Sequence, residues 1–170
     1  MPNYEVRPAA RSDAEPIATV HVEAAHAAYE ALSAGTRQMP MERRKAFWRD
    51  AIEYSEPQVQ VALDQRQVIG FVGYDRSRDA GSRPTTGEIW ALFIVPSHWR
   101  RGAGLALWDA AREGLMEEGC TEVTWWIPLV NERALRFAEK AGFEREPAST
   151  KTAVMGGVNV EEIRLRRLLD

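Results

Sequence analysis

The chain has 170 residues, 45% of them hydrophobic and 28% charged, which suits one compact domain with a sizeable core. A net charge of -3 argues against a nucleic-acid partner, and the single cysteine, Cys120, excludes an internal disulfide and argues against a thiolate metal site. The three histidines make a poor metal set, no apolar run approaches bilayer length, and the first residues lack a signal-peptide pattern, so a soluble cytoplasmic protein with no metal and no membrane partner is expected.

Glu5 to Pro8 reads as a short first strand ending at a turn. Ser12 or Asp13 stands where it can cap a helix on which Ile17, Val20, His21, Ala24, Ala25 and Ala28 recur, as far as about Tyr29. Ser33-Ala34-Gly35-Thr36 breaks that helix. A second helix is expected from Met41 to Tyr54, with Phe47, Ala51 and Ile52 on its apolar side. Past Pro57 the period changes. Val59 to Leu63 alternates, Asp64-Gln65-Arg66-Gln67 is a turn, and Val68 to Tyr74 returns beside it. Arg76 to Thr86 is a loop, and Gly87 to Val95 is nearly continuous in apolar residues, as a buried central strand is.

Gly102 to Gly119 reads as a helix with Leu105, Trp108, Ala111 and Leu115 on one side. Glu122 to Ile127 is the next strand, Asn131 to Ala141 the next helix, and Gly142 its stop. Strands at about Thr150 to Met155 and Asn159 to Leu168 are joined by Gly156-Gly157 as a hairpin turn. The order implies a mixed α/β sheet with helices on its faces, with no repeat or linker.

The stretch that points to chemistry runs from Ile94 to Leu105, Ile-Val-Pro-Ser-His-Trp-Arg-Arg-Gly-Ala-Gly-Leu. A strand ends at Pro96, a short loop follows, and Gly102 and Gly104 open a helix. Bare backbone N–H groups at a helix start suit phosphate, and Arg100 and Arg101 add positive charge. An ordinary glycine turn between strand and helix explains Gly-x-Gly alone equally well. A P-loop is excluded because no Gly-x-x-x-x-Gly-Lys-Ser/Thr run exists. A dinucleotide fingerprint is excluded because Leu107 stands where its third glycine belongs.

This run resembles motif A of the GNAT superfamily of acyl-CoA N-acyltransferases, Gln/Arg-x-x-Gly-x-Gly/Ala. Asn131-Glu132-Arg133-Ala134-Leu135-Arg136-Phe137, closing in Lys140-Ala141-Gly142-Phe143, is similar to the family's second signature. The resemblance covers most of the chain. It implies a mostly antiparallel sheet with splayed fourth and fifth strands, acetyl-CoA as co-substrate, and acetyl transfer to an amine, in a protein for which a homodimer is a family-based expectation.

Carried over by position, the resemblance puts backbone N–H groups from Arg100 through Arg101, Gly102, Ala103, Gly104 and Leu105 to Ala106 around the CoA pyrophosphate. Phe93, Ile94 and Val95 would bond the pantetheine arm, and Asn131 would reach its far end while also serving as a helix N-cap. Ala134 and Phe137 would flank the arm, or simply pack the core.

Two positions depart from the pattern. Trp99 replaces the first Gln or Arg of motif A, which leaves backbone donors intact. Ala138 occupies the place where many relatives carry a tyrosine as general acid, although a thiol of pKa about 8.5 is a tolerable leaving group unaided. An amine acceptor also needs a base, since an alkylammonium of pKa about 10.4 is scarcely neutral at pH 7. Glu88 matches the catalytic glutamate of the histone-acetylating branch; it also reads as a surface acid at a strand start. The fifth-strand alternative used by other relatives falls on Trp126, which cannot accept a proton.

His26 and Tyr29 on the first helix, with Trp90 and Trp126, are the candidates for binding the acceptor. Only one of Trp125 and Trp126 can face the site, because strand neighbours point to opposite sides. Two readings stand: an acetyl-CoA-dependent N-acetyltransferase for a small-molecule amine, and a non-catalytic acyl-CoA-binding module that kept motif A and lost the chemistry.

Overall fold

The structure is a computed structural model that describes residues 4–29, 40–155 and 157–170. The strands are β1 (Glu5–Pro8), β2 (Gln58–Asp64), β3 (Gln67–Arg76), β4 (Thr86–Ile94), β5 (Glu122–Pro128), β6 (Glu144–Met155) and β7 (Val158–Leu168). The helices are α1 (Ala14–Ala28), α2 (Met41–Tyr54), α3 (Ala103–Glu117) and α4 (Glu132–Lys140). The strands form one seven-stranded sheet in the order β1-β2-β3-β4-β5-β7-β6. Neighbours pair antiparallel except β4 and β5, which run parallel. This is the mixed, mostly antiparallel α/β architecture expected, with helices on both faces.

Two apolar clusters sit on opposite sides of the sheet. On one side α3 and α4 bury Leu107, Trp108, Ala111, Leu115 and Leu135 against Val72, Ile89, Val123 and Ile127. On the other, α1 and α2 bury Ile17, Val20 and Trp48 against Val61 and Phe71.

The parallel pair is short. It joins Thr86 to Glu122, Gly87 to Val123, Glu88 to Thr124 and Ile89 to Trp125, and beyond that the strands part. A bulge lies at the same place: β3 register steps from Gly73↔Ala91 to Tyr74↔Ile89, leaving Trp90 as the extra residue. Bulges bend and twist a strand locally, which gives the parting a physical cause.

Four details correct the sequence reading. On α2, Trp48 is 2% exposed and Phe47 is 47% exposed, although both fit a helical stripe with Ala51. The larger indole takes the inner place, at 4.8 Å from the Phe71 ring. On α3, Leu107 is fully buried whereas Leu105 is 53% exposed. Asp13 does not cap α1; its carboxylate turns back to accept from the Ala10 N–H at 2.7 Å and from Arg7 at 2.7 and 3.2 Å. Strand β6 begins at Glu144, well before Thr150, with a register break between Glu146 and Lys151 that hides it from a period-2 search. The helix break expected at 33–36 lies outside the described residues.

Candidate active site

The loop from β4 to α3 contains a 3-10 turn at Pro96–His98, then Arg100 at φ 61° and Gly102 at φ 87°, both left-handed. Gly102 is the residue before the first turn of α3, and no side chain caps that helix start. The N–H groups of Ala103, Gly104 and Leu105 therefore have no intrahelical or capping acceptor. Ala106 is a correction: its N–H donates to the Gly102 carbonyl at 3.1 Å, as the first regular bond of the helix. A Cβ on Gly104 would lie 3.0 Å from the Phe137 ring and 3.3 Å from Ile94, so glycine lets α3 close on α4 and β4.

Beside this helix start lies a cleft of about 670 Å³. Phe93, Ile94, Arg100, Gly102, Gly104, Leu105, Asn131, Ala134 and Phe137 all line it, so most of the residues expected around CoA come together. Val95 and Ala103 pack beside or within the apolar core, and Arg101 is exposed outside the lining. The Val95 N–H is also committed, donating to the Ile69 carbonyl at 2.9 Å. Strand alternation then directs the Val95 and Phe93 amides towards β3 and those of Leu92 and Ile94 towards the cleft.

Sequence reasoning missed several lining residues. Arg133, Arg136 and Lys140 share one face of α4 at helical spacing and add three cations to Arg100. Burial, reinforced by the charges of Arg100 and Arg136, pushes the Arg133 guanidinium down from its usual value. Its plane lies 3.7 Å over the ring of Trp99, whose indole N–H donates to the Ile94 carbonyl at 2.7 Å. Trp99 thus ties the end of β4 to α4, which the motif comparison gave no reason to expect. Trp125 lines the cleft edge-on to Phe137 at 6.2 Å, while Trp126 faces the other side of the sheet.

Asn131 joins the two sides. Its Oδ1 accepts from the Ala134 N–H at 3.2 Å, capping α4, and its Nδ2 donates to the Tyr29 hydroxyl at 3.2 Å. Burial, aided by the charge of Glu162 and opposed by the Asn131 bond, pushes the Tyr29 phenol up. Ala138 is fully buried in the α3–α4 core. His26 is exposed on α1, one turn before Tyr29.

Glu88 is 2% exposed and bound to Arg78 through both oxygens, with the backbone N–H at 2.9 Å and the guanidinium at 2.6 Å. Each oxygen thus accepts one hydrogen bond from the same residue. The same guanidinium lies 3.9 Å over the Trp90 ring. The Trp126 indole N–H is shared by the Asp79 oxygens at 3.0 and 3.1 Å, and Lys151 sits 3.8 Å over its ring. Arg78 and Asp79 belong to the loop read from sequence only as a connection. Among the described residues, no group of three or more His, Cys, Asp or Glu is arranged to hold a metal ion, and no helix is long and apolar enough to cross a membrane.

Residues 18–143 match the acetyltransferase (GNAT) family. The chain belongs to that family. An uncharacterized N-acetyltransferase of Archaeoglobus fulgidus is 29% identical over 136 residues, covering 78% of this chain and 88% of the relative. A mycothiol acetyltransferase of Kocuria rhizophila is 33% identical over 82 residues, 48% of this chain, and the match spans only 27% of that longer protein. Among solved structures, yncA of Salmonella typhimurium with its cofactor acetyl-CoA superposes with a TM-score of 0.76 at 18% identity, covering 99% of this chain and 95% of that one. PaiA N-acetyltransferase of Thermoplasma acidophilum with coenzyme A gives 0.68 at 16% identity, covering 98% and 99%.

Proposed function

We propose that this protein transfers the acetyl group of acetyl-CoA to the primary amine of a small-molecule acceptor. The observation that carries this reading is the cleft between β4 and α4, which opens where β4 and β5 part and ends at the uncapped, left-handed entry to α3. The residues present fit CoA. Free N–H groups at Ala103, Gly104 and Leu105, with Arg100, Arg133, Arg136 and Lys140, suit its phosphates. The Leu92 and Ile94 amides suit the pantetheine arm, with Ala134 and Phe137 along it.

When bound, acetyl-CoA supplies a thioester activated for attack by an amine. The chain's part is to hold it, to keep Asn131 and Tyr29 beside its reactive end, and to receive the acceptor from the opposite face. There Tyr29, Trp90 and Trp126 form the acceptor side, with His26 at its rim. The same reading takes residues 1–170 as one cytoplasmic domain, and a homodimer as the assembly for light scattering to test.

Acetyl-CoA should raise the melting temperature, by about 2.7 kcal/mol of linkage at a hundred times its Kd. Gly102→Val and Gly104→Val should abolish that shift, and both should lower stability, the first through the left-handed φ of 87° and the second by crowding Phe137. Thiol release across a panel of amines tests the transfer. Binding without turnover on any amine would favour a non-catalytic acyl-CoA-binding module.

A further inference from the structure

The acceptor side of the sheet carries several carboxylates, and their partners separate them. Ile163 and Leu165 of β7 point into the α3–α4 core, so alternation sends Glu162 and Arg164 to the opposite face, with Trp126. On that face Arg164 contacts both Asp79 at 3.2 Å and Glu146 at 2.6 Å, and Arg78 holds Glu88 at 2.6 Å. The Glu162 carboxylate has no hydrogen bond or ion pair among the described residues. It is half-buried on β7, with Pro128 of β5 and Lys151 of β6 as its flanking register partners.

Its position relative to the cleft follows from three links. Pro128 lies past Trp125, where β5 has already left β4. The carbonyl of Pro128, the register partner of Glu162, accepts from the Asn131 N–H at 2.9 Å, and Asn131 lines the cleft and donates to the Tyr29 hydroxyl. The carboxylate therefore stands at the seam between the acceptor face and the CoA cleft, without a partner of its own.

We propose that the Glu162 carboxylate accepts the proton of the acceptor's ammonium group. This rests on the acetyltransferase reading above. Glu162 takes one proton from the ammonium and becomes a carboxylic acid, leaving a neutral amine. The amine lone pair forms the new C–N bond to the acetyl carbon as the C–S bond breaks, and the bonding pair departs with sulfur. The nitrogen's second proton leaves as the amide forms, which balances protonation of the thiolate. Glu162 returns its proton to water.

The surroundings favour a proton on this carboxyl more than water does. Burial pushes the Glu162 carboxyl up, opposed by Lys151 of β6 and by Arg78 of the β3–β4 loop and reinforced by Glu88 of β4. Tyr29 of α1 and Trp126 of β5 add no charge to that balance. Three other groups are engaged: Glu88 by Arg78, Asp79 by Trp126 and Arg164, and the His21 Nδ1 by Arg44 at 2.8 Å, while His26 is exposed at the rim.

The test uses the intact protein and an amine that the wild type acetylates. Glu162→Gln should lower kcat/KM about 10²- to 10⁴-fold at pH 7 while keeping the acetyl-CoA melting shift. The loss should shrink at pH values above the amine's own pKa. In the absence of any substrate, the ¹³C titration of the Glu162 carboxyl should share its midpoint with the rising limb of wild-type kcat/KM. A Glu162→Gln protein with the wild-type rate and pH profile would overturn the assignment, as would a mismatch between the two midpoints. A wild type that acetylates no amine would instead sink the acetyltransferase reading itself, a different result from an active wild type indifferent to Glu162.

Discussion

Arg78 donates to both oxygens of Glu88, one through its backbone N–H and one through its guanidinium, and so clips the β3–β4 loop to the middle of the sheet. The two partners are unequal: the Glu88 side chain is 2% exposed and that of Arg78 is 53% exposed. Removing one is therefore not equivalent to removing the other.

Arg78→Ala leaves a buried carboxylate with only the backbone N–H as donor and should cost about 3 kcal/mol of stability. Glu88→Gln keeps the shape and the backbone donor and releases a cation that already reaches water, so about 1 kcal/mol is expected. Denaturant unfolding of the two variants measures both. The reverse order would mean that the pair does not hold the loop.

Trp99 gives a second prediction. Losing the indole N–H in Trp99→Phe leaves the Ile94 carbonyl beside solvent but keeps a ring under Arg133, and CoA affinity should change less than tenfold, about 1.4 kcal/mol. Trp99→Arg removes the ring and adds a cation to Arg100 and Arg133, so the loss of stability should exceed that of the phenylalanine variant. Calorimetric titration with acetyl-CoA and thermal melts read the two effects separately. Equal behaviour of both variants would deny the Arg133 stack any role.

Element order was legible in the chain because periods of 2 and 3.6 residues alternate cleanly, and Gly102, Gly104 and Asn131 carried the cleft. Which side of an element wins was less legible. Leu105 and Leu107 both fit a stripe with Trp108 and Ala111, and only the neighbouring sheet decides that Leu107 goes inside. Leu107→Ala should accordingly cost about 2–5 kcal/mol, and Leu105→Ala about 0.5 kcal/mol or less. Equal costs would return α3 to the register read from sequence. The proposed acceptor face was least legible. Glu162, Arg78 and Asp79 come from a late strand and a long loop, with no periodic or motif signal, and meet only through the sheet order β4-β5-β7-β6.

The last prediction concerns acid. His21 lies stacked on Phe93 at 4.7 Å, and its Nδ1 faces Arg44 at 2.8 Å and the Trp48 indole N–H at 3.4 Å. Arginine and indole nitrogens only donate, so Nδ1 must be the acceptor and the neutral ring carries its proton on Nε2. Protonating Nδ1 would set N–H against N–H beside a fixed positive charge. Burial first, and then the Arg44 charge, lower the His21 pKa from 6.5 to about 3. The unfolded chain therefore binds more protons at this residue than the folded one between those values. The stabilising effect of neutral His21 is complete above pH 6.5 and is lost as the pH falls towards 3. Within that window the slope is about 1.4 kcal/mol per pH unit, so some 2 kcal/mol should disappear between pH 7 and pH 5. Urea unfolding at the two pH values measures it. His21→Phe should be less stable than wild type at pH 7, because Arg44 loses its acceptor, yet should lack this part of the acid dependence. An NMR titration in which His21 protonates near pH 6.5 in the folded protein, or a His21→Phe variant with an unchanged acid limb, would show that the Arg44 contact does not hold the ring neutral.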